Sequence, residues 1–328
     1  MSQDKLLRLI DQAATEGWKT LDLSGHNLTE LPPEIGRLAQ LETLILGKRK
    51  RRWTNSIGNQ LRALPAEIGK LVNLKTLLVE ANQLQRLPAE IGRLRHLRIL
   101  MAGENQLTYL PKTFKQLTKL QVVIFDENSF TSIPPEIAQL HLLKTLHFYD
   151  NFLETVFNKI GQLQKLQSLD ISANRLNSLP PEIVKLTNLR SLNFSANQLS
   201  SLPPEIGKLT SLKSLDLRIN QLSSLPSEIT QLTALKSLNL RYNQLSSLPS
   251  QIIRLTGLKS LDLRANQLSN LPSEIVHLKG LELLDLRDNQ LSSLPSQIVQ
   301  LKGLKSLDLR ANQLGNLPSQ IGPLESQP

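Results

Sequence analysis

The sequence contains no cysteine, and aromatic residues make up only 4% of its 328 residues. Without cysteine the chain has no disulfide, no zinc–thiolate site and no cysteine nucleophile. No window approaches the roughly 20 consecutive apolar residues that a transmembrane helix needs. The first residues, MSQDKLLRLIDQAATEG, lack both the apolar stretch and the small-residue cleavage site of a signal peptide. These absences predict a soluble chain without a membrane span.

Sequence motifs of enzymes are also missing. The chain has no GxxxxGK[ST] phosphate loop, no HExxH and no GxSxG. Its five histidines are not grouped with the spacing of metal ligands. We therefore predict a protein that is not an enzyme and that needs no metal and no cofactor.

The dominant feature is a 23-residue unit that recurs along the chain, for example LKSLDLRINQLSSLPSEITQLTA at Leu212–Ala234. Its pattern is LxxLxLxxNxLxxLPxxIxxLxx, and a fixed period of this length is typical of a solenoid. The thirteen repeats begin at Trp18, Leu41, Leu74, Leu97, Leu120, Leu143, Leu166, Leu189, Leu212, Leu235, Leu258, Leu281 and Leu304. The second repeat spans 33 residues, because ten additional residues lie within Gly47–Gly58.

The pattern also predicts the local structure of each repeat. Leucines at positions 4 and 6 alternate with polar neighbours, which indicates a short strand with positions 3, 5, 7 and 8 on its outer surface. The asparagine at position 9 can satisfy backbone groups of the following turn. The proline at position 15 suits the start of a short helix. Since one repeat cannot bury its own leucines, we expect the repeats to stack and form a parallel sheet.

The LxxLxLxxNxL motif resembles that of the leucine-rich repeat family, over nearly the whole chain. The resemblance implies an α/β fold, a right-handed horseshoe-shaped solenoid with a parallel β-sheet on the concave face and short helices or turns on the convex face. The opening LLRLIDQAATEGWKTLDLSGHNLTELPPEIGRLAQLETLILGK is similar to the repeat segment of bacterial Roco-type proteins. The repeated LPxxI resembles intracellular scaffolds that bind Ras-like GTPases.

This resemblance implies a cytoplasmic protein-interaction domain, with a small GTPase or another signalling protein as its partner. The missing cysteine also favours the cytoplasm, because secreted members of the family often have cysteine-bonded caps. The sequence contains no counterpart of the GTPase and dimerisation domains of Roco proteins, so the resemblance does not extend to nucleotide binding.

We divide the chain into an N-terminal capping helix, residues 1–17, and a repeat domain, residues 18–328. Leu6 and Ile10 belong to an apolar set at helical spacing that would cover the first repeat. A helix lying on a membrane surface is the alternative, but acidic residues outnumber basic ones and no aromatic anchor is present. At the other end the sequence stops soon after Leu324 without a polar cap, so we expect this end to pair with another surface or to continue in a longer protein.

Repeats three to six carry apolar and acidic residues at outward positions, where the core needs neither. The predicted partner-binding residues on the concave face are Leu78, Glu80, Ile99, Met101, Glu104, Val122, Ile124, Asp126, Glu127, His147, Tyr149 and Asp150. An exposed apolar patch with an acidic rim is typical of a protein-binding surface, although solenoid surfaces also vary without function. We interpret His147 as a contact residue rather than a base. Phe152 and Phe157 add aromatic side chains to repeat six, where Leu-Pro is replaced by Val156-Phe157.

Repeats nine to thirteen carry two ladders of charged residues instead. Position 5 holds Asp216, Asn239, Asp262, Asp285 and Asp308, and position 7 holds Arg218, Arg241, Arg264, Arg287 and Arg310. Adjacent strands lie about 4.8 Å apart, so the ladders run side by side. The acidic neighbours favour a self-neutralising surface over an arginine strip that binds carboxylates or phosphates of a partner.

The insertion in repeat two is the strongest concentration of charge. Its basic residues Lys48, Arg49, Lys50, Arg51 and Arg52, followed by Trp53, contribute five of the net +10 charges. Such a run would suit nucleic acid, anionic lipid or an acidic protein. No recognised nucleic-acid-binding module is visible, which disfavours nucleic acid, and a solvated loop is the simpler interpretation.

The leading hypothesis is a non-catalytic protein–protein interaction module, a scaffold or signalling adaptor, that binds its partner on the concave face. One alternative is a binder of nucleic acid or anionic surfaces through the basic insertion and the arginine ladder. Another is a regulatory part of a GTPase system. The partner's identity and the oligomeric state are left open by the sequence.

Overall fold

The computed structural model describes residues 1–49 and 56–315. The chain forms two compact units. The first comprises Met1–Leu153 with Gln162–Leu166, and the second comprises Glu154–Gly161 with the chain from Gln167 onward. Each unit is built from repeats that contain one short strand, a turn and one short 3₁₀ helix.

The first unit begins with an α-helix, α1 (Gln3–Thr15). The Ser2 side chain caps it by accepting a hydrogen bond from a backbone N–H of the first turn, at 3.4 Å. Leu6, Ile10 and Ala13 on its apolar face are fully buried, and the helix packs against the first 3₁₀ helix. Apolar side chains of α1 therefore cover the first repeat. Within the described chain, no helix is both long and apolar enough to cross a membrane.

Six strands of the first unit follow one another in sequence order and pair in parallel. They are β1 (Thr20–Asp22), β2 (Thr43–Gly47), β3 (Thr76–Val79), β4 (Ile99–Met101), β5 (Val122–Ile124) and β6 (Thr145–His147). Residues at the same position of neighbouring repeats pair across the strands, so each position forms a row.

Seven strands of the second unit show the same order and the same parallel pairing. They are β7 (Ser168–Asp170), β8 (Ser191–Asn193), β9 (Ser214–Asp216), β10 (Ser237–Asn239), β11 (Ser260–Asp262), β12 (Leu283–Asp285) and β13 (Ser306–Asp308). The predicted parallel sheet of a leucine-rich-repeat solenoid is confirmed.

After its strand and turn, each of the first twelve repeats continues through a 3₁₀ helix of five residues. In the first unit these helices are Pro33–Arg37, Ala66–Lys70, Ala89–Arg93, Lys112–Gln116 and Pro135–Gln139. Asn158–Gln162 comes next in sequence, followed by Pro181–Lys185, Pro204–Lys208, Ser227–Gln231, Ser250–Arg254, Ser273–His277 and Ser296–Gln300. Except at Asn158–Gln162, which follows Phe157, proline directly before or at the first residue fixes the backbone angle that this start requires. The prediction of short helices is confirmed, and their type is 3₁₀.

Leucine and asparagine together build the core of the repeats, except that the first repeat has His26 at position 9. In repeat nine Leu215 and Leu217, at positions 4 and 6, are no more than 1% exposed. The asparagines at position 9 form a ladder, as Asn105 illustrates. Its Oδ1 accepts a hydrogen bond from the backbone N of Leu84 at 2.9 Å, and its Nδ2 donates to three backbone carbonyls at 3.0 to 3.2 Å. The ladder satisfies buried polar groups that the short strands leave unpaired.

Position 8 has a left-handed backbone that the repeat pattern does not show. In repeats three to thirteen this residue has φ between +51° and +55°, although none of these residues is glycine. The conformation costs roughly 1–2 kcal/mol for an ordinary residue. Hydrogen bonds hold it in place: the backbone N of Glu104 donates to the carbonyl of Asp126 at 2.9 Å, and that of Ile219 donates to Arg241 at 2.8 Å. Side chains at position 8 are consequently presented at fixed places beside the strands.

Candidate functional site

The solvent-facing side of the sheet, called the open face below, carries an apolar row in the first unit. Ile45, Leu78, Met101 and Ile124 occupy position 5 of successive repeats, and each is paired in register with the next. Beside this row, at position 3, Ile99 pairs with Val122. All six side chains are half-buried although the core lies on the other side of the strands. They form an apolar surface on a rigid scaffold, which is a common feature of partner-binding sites.

Ile45 is the one member of the apolar row that the sequence prediction omitted. It pairs with Leu78 across the first two strands of the row. The repeat pattern could have identified it, because Ile45 occupies position 5 of repeat two, as Leu78 does in repeat three. The insertion that follows Gly47 made repeat two look irregular and hid this equivalence.

An acidic cluster lies next to the apolar row. It consists of Glu80, Glu104, Asp126 and Glu127, at positions 7 and 8 and within about three residues of the ends of their strands. The left-handed backbone at position 8 presents Glu104 and Glu127, and the backbone N of Glu127 donates to Tyr149 at 2.7 Å. Glu80 and Asp126 are buried. The predicted acidic rim is therefore partly buried.

Arg49 of the insertion lies in the acidic cluster. Its guanidinium forms ion pairs with Glu104 at 3.1 Å, with Asp126 at 3.3 Å, and with Glu127. The backbone N of Arg49 donates to Glu80 at 3.1 Å. These partners follow Arg49 by 31 to 78 residues in sequence. The fold thus places Arg49 of the predicted basic insertion against predicted partner-binding residues, two sites that the sequence treated as separate.

The two ends of the insertion are fixed to the neighbouring repeats. Lys48 and Ile57 form an antiparallel bridge with backbone hydrogen bonds of 2.8 and 2.9 Å. A Cβ at Gly47 would lie 1.8 Å from the carbonyl oxygen of Glu80, and one at Gly58 would lie 1.5 Å from that of Ala81. Only glycine allows such close approach of two backbones. The first and last residues of the insertion therefore have fixed positions next to this surface.

Burial opposes the ionisation of two carboxylates in the acidic cluster. Burial raises the pKa of Glu80, although hydrogen bonding and attraction from Arg49 act in the opposite direction. Burial also raises the pKa of Glu127, and Arg49 again opposes the shift. For Arg49 burial alone would lower the pKa, but the surrounding carboxylates raise it overall. Arg49 and these carboxylates therefore stabilise each other's charged forms against the effect of burial.

Lys48 has a separate acidic partner. Its Nζ lies 2.5 Å from Asp22 of the first repeat. Burial opposes ionisation of Asp22, yet the hydrogen bonds from Lys48 and Ser24 lower its pKa overall. The basic residues Lys50, Arg51, Arg52 and Trp53, which follow in the predicted insertion site, lie outside the described residues.

Beneath the open face, repeats four to six have an aromatic core. Phe125 lies 5.4 Å from both Phe130 and Phe148, measured between ring centroids, and Phe130 lies 5.1 Å from Phe148 edge to face. All three are fully buried. Tilted and edge-to-face pairs stabilise a core beyond the effect of area alone. Ile124 and His147 therefore stand on a tightly packed base.

The remaining predicted residues of repeat six surround the same region. His147 pairs in register with Ile124, and the backbone N of Tyr149 donates to Asp126 at 3.0 Å. The charge of Asp150, which is exposed, contributes to the raised pKa of Glu127. Phe152 is 42% exposed. Among the described residues, no group of three or more potential ligands could hold a metal ion.

The charged ladders of the second unit pair largely with each other. Arg287 contacts Asp285 at 2.7 Å and Asp308 at 3.1 Å, and Arg310 contacts Asp308 at 2.6 Å. Further ion pairs are Arg218–Asp216 at 3.5 Å and Arg264–Asp288 at 2.9 Å. Arg241 instead stacks over the Tyr242 ring, 4.6 Å from its centroid. These contacts favour the self-neutralising interpretation of the ladders.

The comparisons with known proteins agree with this architecture. The leucine-rich repeat region model matches residues 57–149, 135–220, 186–263 and 249–326. The chain therefore belongs to the leucine-rich repeat family. Proteins of this family generally mediate protein–protein interactions, and the fold is typically a non-catalytic interaction module.

Three solved structures illustrate the likeness. A leucine-rich repeat protein of Leptospira interrogans is 33% identical, with 93% of both chains covered and a TM-score of 0.72. An internalin, InlF of Listeria monocytogenes, shares the fold at 22% identity, covering 98% of this chain and 91% of that one, with a TM-score of 0.83. The ectodomain of the Arabidopsis thaliana receptor kinase GASSHO1/SCHENGEN3, in complex with Casparian strip integrity factor 2, is 30% identical over 90% of this chain and 41% of that one, with a TM-score of 0.65. A comparison with curated proteins gives no match.

Proposed function

We propose that this protein is a non-catalytic scaffold or adaptor that binds a protein partner on the open face of repeats three to six. The observation that carries the proposal is the apolar row beside the acidic cluster. Apolar anchors supply binding energy when they are covered, and charges at the margin set the orientation. Two further features support it: the strands fix these side chains in register, and the aromatic core lies directly behind them.

The partner in this proposal is defined by its chemistry. It presents apolar side chains to Leu78, Met101 and Ile124, and polar groups to the neighbouring cluster of charged residues. The resemblance to intracellular repeat scaffolds is the basis for a cytoplasmic signalling role. None of the matched structures described above is of a complex with a small GTPase, so a GTPase is one kind of partner to be examined among others.

The test compares partner capture by intact wild-type protein with capture by the triple variant Ile99→Ser, Met101→Ser and Ile124→Ser. We expect the triple variant to lose capture, because three half-buried apolar side chains contribute on the order of 1 kcal/mol each when a partner covers them. Circular dichroism and thermal unfolding establish that the variant is folded. Quantitative mass spectrometry of the captured proteins provides the measurement.

A matched control removes the same kind of side chain elsewhere. Ile219, Tyr242 and Leu283 are exposed by 43 to 49% in the second unit, and a triple serine variant there should leave capture unchanged. The placement of the site is wrong if the first triple variant is folded and still captures the same proteins, or if the control variant loses them equally.

A second candidate function, binding of an anionic surface, is favoured by a different row. Arg190, Lys213 and Lys236 stand exposed at position 2 of successive repeats. The backbone N of Lys213 donates to Arg190, and that of Lys236 to Lys213, both at 2.8 Å. No ion pair within the described chain involves these three side chains. A strip of unpaired cations about 5 Å apart attracts phosphate groups.

This second candidate predicts binding that depends steeply on salt. Substituting Arg190, Lys213 and Lys236 by glutamine should weaken binding to duplex DNA or to anionic lipid vesicles and should reduce the salt dependence by roughly one counterion per contact. Fluorescence anisotropy at several salt concentrations measures both quantities. Absence of binding to either probe at low salt would exclude this function.

A further inference from the structure

An open cleft of about 720 Å³ lies beside the 3₁₀ helices of repeats four and five, within the first unit. The 3₁₀ helices Lys112–Gln116 and Pro135–Gln139 both contribute to its walls. The volume lies in the range of roughly 300–1,000 Å³ that is typical of small-molecule sites. None of the lining residues belongs to the apolar row or to the acidic cluster. The polar side chains that line the cleft include Arg95, Lys115, Thr118, Glu136, Gln139 and His141.

Lys115 explains why a cleft forms at this place. In repeat three the equivalent residue is Gly92, and a Cβ there would lie 2.6 Å from the carbonyl oxygen of Thr113 in the next 3₁₀ helix. Glycine thus allows these two helices to pack closely. Lys115 has a side chain at the same position of repeat four, so the helix Pro135–Gln139 cannot approach in the same way. A space therefore remains between the helices of repeats four and five.

Hydrogen-bond donors from three repeats converge on the cleft. The guanidinium of Arg95 is held in place, because Nη1 donates to the backbone carbonyl of Gln116 and Nη2 donates to Oε1 of the same residue, both at 3.1 Å. These two bonds leave the other N–H groups of the guanidinium for a ligand. Lys115 and His141, both exposed, and the amide of Gln139 supply further donors. A pre-positioned guanidinium with other donors around it is suited to an anion.

The cations of the cleft are not engaged by carboxylates of the chain. In the described part of the first unit, no ion pair involves Arg95 or Lys115. The segments outside the described ranges contain a single acidic residue, Glu325, close to the end of the sequence. Among the described residues that line the cleft, Glu136 alone is acidic, whereas Arg95 and Lys115 are both cationic. The cleft therefore has a net positive charge.

We propose that this cleft binds a small phosphorylated sugar through its phosphate monoester. A phosphate monoester has three strong acceptor oxygens, which donors on three repeats can contact from different directions. Glu136 repels the phosphate but accepts hydrogen bonds from hydroxyl groups, so it suits the sugar part of such a ligand. The site lies apart from the open face, and the proposal does not depend on the proposed function.

Isothermal titration calorimetry with the full chain and ribose 5-phosphate tests the proposal. Ribose 5-phosphate should bind, inorganic phosphate should bind more weakly, and ribose should not bind. Lys115→Gln and Arg95→Gln should each weaken binding of ribose 5-phosphate by about ten-fold, the effect of one charge-assisted hydrogen bond. The control Lys112→Gln removes the same charge from the same 3₁₀ helix, at a residue that does not line the cleft, and should leave binding unchanged.

Two further measurements separate a sugar phosphate from other phosphates. Glu136→Gln should weaken binding of ribose 5-phosphate and strengthen binding of inorganic phosphate, because the substitution removes both a hydroxyl acceptor and a repelling charge. Phosphatidylcholine vesicles with and without phosphatidic acid test for a lipid phosphate. Vesicle binding that needs Lys115, without binding of ribose 5-phosphate, would show that the phosphate belongs to a lipid and would overturn the proposal.

Circular dichroism and urea unfolding establish that all variants are folded. No binding of ribose 5-phosphate up to millimolar concentration, equal binding of ribose, or an equal loss in Lys115→Gln and Lys112→Gln would each overturn the proposal. An unchanged ratio of the affinities for ribose 5-phosphate and phosphate in Glu136→Gln would rule out the sugar. The triple serine variant at Ile99, Met101 and Ile124 should bind ribose 5-phosphate like the wild type, so failure of the open-face proposal is distinguishable from failure of this one.

Discussion

The asparagine ladder gives the most direct stability prediction, and Asn105→Ala is its clearest test. The three carbonyls that accept from Asn105 each have another donor: Asn82 for Val79, Asn128 for Ala102, and the backbone N of Ala81 for Gly103. The backbone N of Leu84, by contrast, loses the acceptor that lies 2.9 Å away, inside the protein. An unsatisfied buried N–H costs about 1–3 kcal/mol.

The three carbonyls also lose a donor, which costs less because each keeps another one. In total we expect Asn105→Ala to lower the free energy of unfolding by about 3 kcal/mol. Urea denaturation followed by circular dichroism measures this change, and hydrogen exchange at the amide of Leu84 locates it. The exposed neighbour Gln106 supplies the control, since Gln106→Ala should change stability by less than about 0.5 kcal/mol. Similar small losses in both variants would refute the view that the ladder is a principal source of stability.

Three further predictions concern packing, backbone strain and charge. Phe125→Ala should destabilise the first unit by about 4 kcal/mol in urea denaturation, and Phe125→Leu by clearly less, because the ring fills the aromatic core. Ile219 is β-branched, 49% exposed and held at φ +55°, so Ile219→Asn should raise the free energy of unfolding by about 0.5–1 kcal/mol; a loss would contradict the assignment of strain. Hydrogen bonds from Lys305 and Lys259 lower the pKa of Glu282 to about 2. Its stabilising effect is therefore complete above pH about 4.5 and lost as the pH falls toward 2, and Glu282→Gln should remove this part of the acid dependence of unfolding; an unchanged profile would argue against it.

The two units use charge in different ways. In the second unit the aspartate and arginine ladders largely neutralise each other on the surface, and exposed pairs of this kind contribute little individually. In the first unit three carboxylates converge on one half-buried arginine beside the apolar row. This asymmetry is why the first unit is the better candidate for binding a partner.

Much of the fold follows from the sequence because each repeat carries the same short-range signals. Leu215 and Leu217 show the alternation of a strand. The asparagines accept hydrogen bonds from residues of the preceding repeat at a constant sequence separation of 21 residues. The apolar row was also visible, because position 5 always faces away from the core. Such features depend only on the position within the repeat.

Two features could not be predicted from the repeat pattern. The left-handed backbone at position 8 has no residue signal, since alanine, glutamate, tyrosine and isoleucine all occur there and glycine does not after repeat two. The contact of Arg49 with Glu104 and Asp126 joins residues 55 and 77 positions apart, and it depends on where the fold places Arg49 relative to later repeats. Sequence patterns report local preference and do not contain such a long-range contact.

Site-specific photo-cross-linking tests the central claim, the location of the partner, most directly. A benzophenone side chain in place of Met101, on the open face, should cross-link to a protein partner in living cells. The same side chain in place of Leu142, an exposed residue after the 3₁₀ helix Pro135–Gln139, should not. The claim predicts that the cross-link at position 101 is lost when Ile99 and Ile124 are changed to serine. Cross-linking from position 142 alone, or equally from both positions, would contradict it.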